Sequence, residues 1–419
     1  MGRCSVLFVN LRRIPREGLE SLLAARRLGY RVVLVGRALP EFARPLVDEF
    51  AEVDTHDTPA AVAAAVEVGR RHDLAGVANF TEIDLHLVAL IAERLGLPGV
   101  SPQAALRARN KYLMKRALAG VDGVLPRFAR VRTLAELREA VAEIGFPAVV
   151  KPVGASGSKG IFELPDLQAL EPAMARLSQI TRPEFDPVFR QFGGELIVEE
   201  FVDGHEVSVE GFVAGGTVSV AAVTDKTTTR PFHLEVQHVL PSGLPPSVLA
   251  AMTAHSAEVV RTLGFDHCAF HLEAKWGSRG FRFIEATCRP AGGYIASHLV
   301  PLATGIPYLE NTIRVAVGES PSLAADRELH AGVRFVLADR AGRLDGVDGL
   351  DRLLATPGYD HVFLEVPVGT MIALPPDHFG LQRVAAVCAR HPERAGLEAL
   401  LAAVARTVTA RVRVAAATA

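Results

Sequence analysis

The chain has 419 residues, of which 49% are hydrophobic and 22% are charged, and its formal net charge is −2. This composition is typical of a soluble globular protein of about two or three domains, and it argues against disorder. The balanced charge, without a basic block, argues against nucleic acid as a main partner. The uncharged stretch at residues 211–224 is rich in glycine and shorter than the ~20 apolar residues of a membrane span.

The opening sequence and the cysteines indicate the cellular compartment of the protein. The opening sequence MGRCSVLFVNLRR contains an apolar run that is too brief for a signal peptide. The four cysteines show neither a CxxC pair nor a disulfide framework, as is typical of a reducing environment: Cys4, Cys268, Cys288 and Cys388. We therefore expect a cytoplasmic protein without a membrane partner.

Lysine is rare in this chain. The 45 basic residues are 39 arginines and six lysines: Lys111, Lys115, Lys151, Lys159, Lys226 and Lys275. GC-rich codon usage accounts for such a bias. A lysine is nevertheless a compact and flexible point charge that the rigid guanidinium fork does not always replace. Each remaining lysine is therefore a candidate for a specific role.

The first part of the chain alternates apolar strands with helical stretches. The predicted elements are strands at 4–9, 31–35 and 76–79 and helices at 17–28, 60–71 and 84–95. This βαβ rhythm predicts a small doubly wound parallel sheet over residues 1–110. Ligands of such sheets lie beyond the carboxyl ends of the strands, and Thr81 and Glu82 fall at such an end.

From residue 124 the pattern changes to α+β. Thr133, with Glu136 three residues on, predicts a capped helix start, and the Asp203-Gly204 pair predicts a tight turn between two strands. The predicted strands lie at 125–131, 148–151, 196–201 and 206–213 and near Ser219, Cys268 and Phe281, and further helices lie at 246–263 and 307–317. The last hundred residues carry strand and helix signals but no cluster with evident chemistry.

A glycine-rich loop follows the strand that ends at Lys151. In GASGSKG, residues 154–160, three glycines and small residues expose N–H groups that can cradle phosphate. The loop is not a Walker A motif, because no Gly-Lys-Ser/Thr stands at the required spacing. Lys151 and Lys111 could neutralise phosphate oxygens there. A plain structural turn and solvated surface lysines are the alternatives.

The strongest local signal is the hairpin CAFHLEAKWGSRGFRFIEATCRPAGG. If its loop is residues 278–280, Glu273 pairs directly with Glu285. Facing carboxylates repel each other unless a cation lies between them, and an all-oxygen site favours a hard ion such as Mg²⁺. The alternative is two exposed acids on an edge hairpin.

Two further segments carry candidate site residues. Arg289, followed by Gly292 and Gly293, could hold a carboxylate and stabilise an oxyanion, although it could equally be a salt-bridged arginine before a turn. The segment VEEFVDGHEVSVEGFV places Glu199, Glu200 and Glu206 near a strand turn. Such a segment can present backbone groups to a base and a carboxylate to ribose, but acids at hairpin ends are also commonplace.

Taken together, in this order and spacing, these residues resemble the ATP-grasp superfamily, and more closely its L-amino acid ligases of the bacilysin-synthase type. The resemblance extends to about residue 320. It implies an ATP-grasp fold, α/β and α+β, with an N-terminal doubly wound domain. The implied domains are residues 1–110 for that domain, 111–198 for a small subdomain with the phosphate loop, and 199–419 for a large subdomain with the catalytic hairpin and a C-terminal extension.

The resemblance assigns residues to ATP and to metal. The implied ATP-binding residues are Lys111, Lys151, Ser156, Gly157, Ser158, Lys159, Gly160, Glu199, Glu200, Val202 and Glu206. Among them the Glu199–Val202 hinge meets adenine and Glu206 meets ribose. Glu273 and Glu285 match the Mg²⁺ ligands, with two ions expected and Mn²⁺ as an alternative. Thr287 stands where many relatives have an asparagine metal ligand, which leaves the second metal's shell open.

The resemblance also assigns residues to the binding of the substrates. The implied set is Glu82, Lys226, His238, Ser242, Arg289, Gly292 and Gly293. Arg289 and the two glycines match the site that holds the substrate carboxylate and the tetrahedral intermediate. Glu82 resembles the acid that engages the first amino acid's ammonium group. His238 is also a candidate general base, although a lone histidine is often only a packed residue.

The implied activity is an ATP- and Mg²⁺-dependent carboxylate–amine ligase. It would activate an amino acid as an acylphosphate and join it to the amine of a second amino acid, forming an amide and releasing ADP and phosphate. The expected partners are small molecules. Dimers are common among such ligases, so a homodimer is one of the assemblies open to this chain, but no segment demonstrates an interface. The alternatives are another acceptor, such as a carrier-protein thiol, bicarbonate or a larger amine, and a nucleotide-binding regulator without turnover.

Overall fold

The computed structural model describes residues 4–12 and 14–414. These residues form four β-sheets with flanking helices. Short 3₁₀ segments occur at Glu41–Leu46, Leu167–Ala169 and Pro187–Arg190, and a π-helical turn occupies Ile295–Leu299. Within the described ranges, none of the helices combines the length and the apolar character that crossing a bilayer requires.

The N-terminal unit is a four-stranded parallel sheet in the order β3-β2-β1-β4. Its elements are β1 Ser5–Val9, α1 Pro15–Arg27, β2 Arg31–Gly36, β3 Glu49–Glu52, α2 Thr58–Arg71, β4 Leu74–Ala78 and α3 Leu85–Leu95. Strand β1 is buried along its whole length because helices cover both faces of a parallel sheet, which is why it reads as an unbroken apolar run. The predicted parallel sheet is confirmed.

Two short helices connect this unit to the rest of the chain. They are α4 Pro102–Arg109 and α5 Lys111–Ala117. Asn110 separates them, and its side-chain oxygen accepts hydrogen bonds from the N–H groups of Tyr112 and Leu113 at 3.0 Å. This cap starts α5 at a fixed point and so fixes the direction in which Lys111 projects.

A second sheet is antiparallel, in the order β5-β8-β6-β7. Its elements are β5 Phe128–Val131, α6 Leu134–Ile144, β6 Ala148–Pro152, β7 Phe162–Leu164, α7 Leu170–Ile180 and β8 Leu196–Glu200. Thr133 caps α6 by accepting from the Glu136 N–H at 3.2 Å, as predicted. Helices α6 and α7 cover one face of this sheet with buried side chains such as Leu137 and Leu177.

The largest sheet has eight strands in the order β13-β12-β9-β10-β11-β14-β18-β16, and a three-stranded sheet β17-β15-β19 lies beside it. The elements are β9 His205–Ala214, β10 Thr217–Thr228, β11 Glu235–Leu240, α8 Pro246–Leu263, β12 Cys268–Gly277, β13 Gly280–Thr287, α9 Val300–Thr304, α10 Tyr308–Ala316, β14 His330–Leu337, β15 Gly342–Asp348, α11 Leu350–Leu354, β16 Tyr359–Leu364, β17 Met371–Ile372, β18 Arg383–His391, α12 Arg394–Thr407 and β19 Thr409–Arg413. Glu273 and Glu285 are direct partners in the β12–β13 register, which confirms the predicted pairing. The predicted loop at residues 278–280 is wrong, because Gly277 pairs with Gly280 and an irregularity between Glu273 and Ala274 restores the register.

The C-terminal region is part of this large sheet. Strand β14 pairs with β11 along Gln237–Leu240, so the sheet runs without a break from the β12–β13 hairpin to β18 and β16. The same core also reaches the N-terminal unit, since Leu22 and Phe8 belong to one buried cluster with Tyr308. The sheets therefore hold one another at fixed distances around the site.

Substitution of Gly204, in the turn between β8 and β9, tests how closely this turn packs against β12. Gly204 has φ +127°, and a Cβ there would lie 2.5 Å from the Trp276 carbonyl oxygen. We predict that Gly204→Ala lowers the free energy of unfolding by about 1–3 kcal/mol, because the strained φ and the backbone contact cannot both relax. Denaturant unfolding measures this, with Gly120→Ala as the control because a Cβ at Gly120 meets nothing within 4 Å. Equal stability of the two variants would contradict the prediction.

Candidate active site

One cavity of about 340 Å³ lies between the antiparallel four-stranded sheet and the eight-stranded sheet. Seventeen of the predicted site residues border it: Glu82, Lys111, Lys151, Ser156, Gly157, Ser158, Lys159, Glu199, Glu200, Val202, Glu206, Lys226, Glu273, Glu285, Arg289, Gly292 and Gly293. Gly160, His238 and Ser242 do not border it. The structure thus brings together residues that lie more than 200 positions apart in the sequence.

The glycine-rich loop forms part of the cavity wall. Its conformation includes positive φ at Gly157, Ser158 and Gly160. The Ser158 hydroxyl donates to the His233 carbonyl at 2.7 Å, and the Lys159 ammonium lies 2.5 Å from Asp186. Gly160 packs outside the wall, where a Cβ would lie 3.0 Å from a side-chain carbon of Pro152. The loop is therefore held at its rim, with Ser156 and Gly157 left facing the cavity.

Two lysines project into the cavity from either side of the loop. Lys111 pairs with Glu285 at 2.8 Å and donates to the Ala155 carbonyl at 2.6 Å. Lys151 pairs with Glu199 at 3.1 Å. Burial opposes charge on Lys151, but the carboxylates of Glu199, Glu285 and Glu273 together outweigh burial and raise the pKa of Lys151. Lys151 is therefore charged, and both lysines border the cavity.

Glu199 is shared between two lysines. Its other oxygen lies 3.5 Å from the ammonium of Lys115, which is fully buried. Burial disfavours charge on all three groups, yet the two lysines outweigh it and lower the pKa of Glu199. Burial remains dominant at Lys115 and lowers its pKa to about 8. Glu199 is thus ionised and positioned between two cations.

The segment after β8 combines exposed backbone with anchored side chains. Glu200 pairs with Arg279 at 2.5 Å and with Arg127 at 3.4 Å. The Lys275 ammonium donates to the Val202 carbonyl at 3.2 Å and lies 3.4 Å from Glu206. These bonds hold the edge of the segment against the β12–β13 hairpin.

The facing carboxylates are each paired with a lysine. Glu285 pairs with Lys111, while Glu273 forms a close ion pair with Lys226 and lies 3.2 Å from the His271 ring. Burial disfavours the charge of Glu273, but Lys226 and His271 together outweigh burial and lower the pKa of Glu273. Burial likewise opposes charge on Lys226, but Glu273, Glu235 and Glu206 together outweigh it and raise the pKa of Lys226 well above its usual value.

This donor set fits a hard cation that is shared with a ligand. Two carboxylates in register offer oxygen donors, and Mg²⁺ commonly takes one or two protein carboxylates and completes its shell with phosphate oxygens and water. Across residues 4–12 and 14–414, no group of three metal-ligating side chains is found. Glu273 and Glu285 therefore suit an ion that arrives with a phosphate, and do not form a complete protein cage.

At the other end of the cavity, Glu82 meets two arginines. Its carboxylate accepts from the Arg289 guanidinium at 2.7 Å and the Thr287 hydroxyl at 2.9 Å, and it lies 3.6 Å from Arg109. Burial disfavours its charge, but Arg289 and Arg109 outweigh burial and lower the pKa of Glu82. Thr287 donates to Glu82, so its hydroxyl is already engaged. Glu82 links the N-terminal sheet to the end of β13.

His238 and Ser242 lie behind the cavity wall. His238 is fully buried, and neither ring nitrogen has a hydrogen-bond partner among the described residues. A Cβ on Gly293 would lie 3.0 Å from its Nε2, so the ring packs against that glycine. Ser242 instead donates to Asp225 at 2.5 Å. The structure therefore does not place Ser242 where it could contact a substrate in this cavity.

Comparison with known proteins identifies the domains of the chain. Three family models match: the ATP-grasp N-terminal domain over residues 22–99, the ATP-grasp domain over 144–298, and the L-amino acid ligase C-terminal domain 2 over 334–413. The chain therefore contains ATP-grasp domains and a C-terminal domain of the L-amino acid ligase type. The ATP-grasp match contains the loop and the carboxylate pair, and the N-terminal match includes Glu82. The predicted ATP-grasp fold and its kinship with L-amino acid ligases are confirmed.

Relatives of the ATP-grasp chain extend the comparison. An uncharacterized protein of Sinorhizobium fredii is 28% identical over 412 residues, covering 96% of this chain and 81% of the relative. The alanine–anticapsin ligase of Bacillus subtilis is 30% identical over 273 residues, covering 61% of this chain and 57% of the ligase. The crystal structure of the L-amino acid ligase from Bacillus licheniformis superposes with a TM-score of 0.83 at 22% identity, covering 99% and 100% of the two chains.

Sequence reasoning missed three charged residues of this ATP-grasp site. Arg109 borders the cavity while almost fully buried, and its Nε and Nη2 have no hydrogen-bond partner among the described residues. Glu235 borders it and pairs with Lys226 at 3.2 Å. Lys115 lies behind Glu199. The rarity of lysine pointed to Lys115, but no local pattern marked Arg109 or Glu235.

The hydrogen bond from Ser242 to Asp225 predicts a role for Ser242 in stability. Burial disfavours the charge of Asp225, but hydrogen bonds from His205 and Ser242, with those from Gly243 and Arg394, lower the pKa of Asp225 to about 2. We predict that Ser242→Ala lowers the free energy of unfolding by about 1 kcal/mol at pH 7. A lowered carboxylate pKa stabilises the fold above the unfolded value of 3.8, and this contribution is lost as pH falls through about 2.

Denaturant unfolding at pH 7, 4 and 2.5 measures this difference, which should shrink towards pH 2. The exposed Ser178→Ala serves as the control, because Ser178 bonds only to a carbonyl of its own helix. Michaelis constants for substrates should stay unchanged in Ser242→Ala. A raised substrate constant with unchanged stability would instead place Ser242 in the substrate site.

Proposed function

We propose that this protein is an ATP- and Mg²⁺-dependent carboxylate–amine ligase that joins two amino acids through an amide bond and releases ADP and phosphate. The observation that carries the proposal is the single cavity that places lysines and a glycine-rich loop beside a carboxylate pair, with Arg289 and two glycines at its far end. Each group alone has an ordinary structural explanation. Their convergence on one cavity from three sheets and from helix α5 favours a shared ligand.

The nucleotide lies between the two sheets in this proposal. Lys111, Lys151 and the amides of residues 156–159 neutralise its phosphates, because ammonium groups and loop N–H groups converge there. The segment from Glu199 to Val202 meets adenine through its backbone, and Glu206 meets ribose. Lys275 holds both Val202 and Glu206 in place.

Glu273 and Glu285 are the residues that would hold Mg²⁺, and the bound ion would offset the negative charge of the phosphates. Before ATP binds, Lys226 and Lys111 neutralise these carboxylates. Lys111 then turns from Glu285 towards the phosphate. This exchange keeps the partly buried carboxylates paired in both states, which avoids the cost of an unpaired charge removed from solvent.

The reaction begins with attack by the substrate carboxylate. Its oxygen forms a bond to the γ-phosphorus of ATP as the bond to ADP breaks, which gives an acylphosphate and ADP. The amine of the second amino acid then attacks the acyl carbon, the C–N bond forms, and phosphate leaves with the bonding electron pair. The amine loses one proton in this step, and the departing phosphate or solvent water accepts it.

Arg289 and the amides of Gly292 and Gly293 receive the oxyanion of the tetrahedral intermediate in this proposal. Removal of one such donor commonly costs ~3 kcal/mol, or about a hundredfold in rate. Glu82 orients Arg289 through its 2.7 Å hydrogen bond and takes part in binding the first amino acid. His238 packs against Gly293, which favours a role in placing that glycine over direct proton transfer.

The acceptor is the open part of the proposal. The Bacillus subtilis relative is named for joining alanine to anticapsin, and this supports an amino acid as one of the two substrates here. A carrier-protein thiol, bicarbonate or a larger amine would use the same activation step. A regulator without turnover is disfavoured by the presence of Glu273, Glu285 and Arg289 together in one cavity.

Phosphate release from ATP separates these functions. We expect no release with ATP alone or with single amino acids that lack a productive partner, and release with certain pairs, together with a dipeptide detectable by mass spectrometry. Phosphate release in the presence of bicarbonate or a larger amine would identify that compound as the acceptor, in place of an amino acid. Tight ADP binding without release in any mixture would favour the regulator.

Removal of one carboxylate tests the metal assignment. We predict that Glu285→Gln lowers turnover about a hundredfold or more, because a neutral amide replaces one of only two anionic donors. Phosphate release and circular dichroism measure the loss and the integrity of the fold. The exposed Glu139→Gln is the matched control. Wild-type turnover in Glu285→Gln would overturn the metal assignment.

A charge-conserving change tests the phosphate lysines. We predict that Lys151→Arg weakens ADP binding about tenfold, the equivalent of one lost hydrogen bond to a charged group. The planar guanidinium cannot occupy the place of the ammonium that lies 3.1 Å from Glu199. Titration calorimetry measures the affinity, with the exposed Arg116→Lys as the control. Unchanged affinity would show that the scarcity of lysine reflects codon usage alone.

A further inference from the structure

Lys115 is the one lysine to which neither the sequence nor the proposed reaction gives a role. It lies one helical turn after Lys111 on α5, and it has no exposed surface. It does not border the cavity. A buried ammonium group costs free energy unless its partners repay that cost, and an apolar side chain of similar volume would often serve the fold as well.

The Lys115 ammonium contacts both sheets that enclose the cavity. It donates to the Ile284 carbonyl of β13 at 2.9 Å and lies 3.5 Å from Glu199 of β8. It also lies 5.1 Å from the centre of the Phe283 ring. Ile284 directly precedes Glu285. One cation therefore ties the strand of the carboxylate pair to the strand that holds Glu199.

The contact between Lys115 and Glu199 affects the net charge beside the cavity. Lys115, Glu199 and Lys151 form a buried row with two positive charges and one negative charge. Only Glu199 and Lys151 border the cavity. Without Lys115, Glu199 would neutralise Lys151 alone, and the pair would offer no net charge to an anion. With Lys115 present, the row keeps a net positive charge, and Lys151 is the member that can deliver it.

We propose that Lys115 is a positioning residue for nucleotide binding, which acts through Glu199 on the place and charge of Lys151. This inference rests on the proposed function, in which Lys151 binds phosphate. Lys115 touches neither substrate nor nucleotide. Its effect must therefore appear in the nucleotide step and depend on Glu199.

The first test is Lys115→Met, which removes the charge while keeping most of the volume. We expect ADP, titrated with Mg²⁺ by calorimetry, to bind roughly tenfold more weakly, as is typical when the outer partner of a ligand-binding group is lost. The Michaelis constant for ATP should rise similarly, while those for the amino acids stay within about twofold of wild type. Arg116→Met, at the exposed neighbouring position, should match wild type.

The second test repeats Lys115→Met in a Glu199→Gln background. If Lys115 acts through Glu199, its loss should cost less than about twofold further in ADP affinity there, because the carboxylate that transmits its effect is gone. The same tenfold loss in both backgrounds would overturn the inference. Unchanged ADP affinity in the single variant, or an equal rise in all Michaelis constants, would also overturn it.

A third variant guards against a folding defect. Lys115→Gln removes the charge but retains a donor near the Ile284 carbonyl, and thermal unfolding reports whether each variant is folded. If Lys115→Met is unfolded, the folded Lys115→Gln should still show the tenfold loss, and wild-type ADP affinity in it would refute the charge argument. If the wild-type protein itself binds no ADP, the proposed function fails first, which distinguishes the two failures.

Discussion

The fold depends on the neutralisation of two facing carboxylates. Glu273 and Glu285 are register partners on neighbouring strands, where two negative charges repel each other. Lys226 from β10 pairs with Glu273, and Lys111 from α5 pairs with Glu285. Neither lysine is near the hairpin in sequence. The pairing therefore requires the eight-stranded sheet and the α4–α5 junction to be assembled around it.

This requirement explains how the separate parts of the chain cooperate. Burial of opposite charges is favourable only when geometry and further hydrogen bonds are right, so each ion pair in the cavity constrains the elements that supply it. The Asn110 cap sets the start of α5, and α5 supplies both Lys111 and Lys115. The distance between the sheets and the charge of the cavity are thus determined by the same few contacts.

Local patterns predicted the site where partners lie close in sequence. The pairing of Glu273 with Glu285 was predicted correctly from the alternation of the hairpin, although the irregularity between Glu273 and Ala274 that completes the register was not. Glycine and lysine content likewise marked the loop at residues 154–160. The partners of Arg109 and Ser242 could not be predicted in this way. Arg109 meets Glu82 across a sheet boundary, and Ser242 bonds to Asp225 on another strand.

The continuity of β11 with β14 affects how such ligases can diversify. Arg383 on β18 lies 3.6 Å from Glu235 and pairs with Glu365, and Glu235 in turn reaches Lys226 in the cavity. The C-terminal region therefore contributes to the electrostatic field at the carboxylate pair without bordering the cavity. Recombination of this region between related ligases would retune the chemistry of a cavity whose own lining had not changed, so substrate range can evolve from the far end of the sheet.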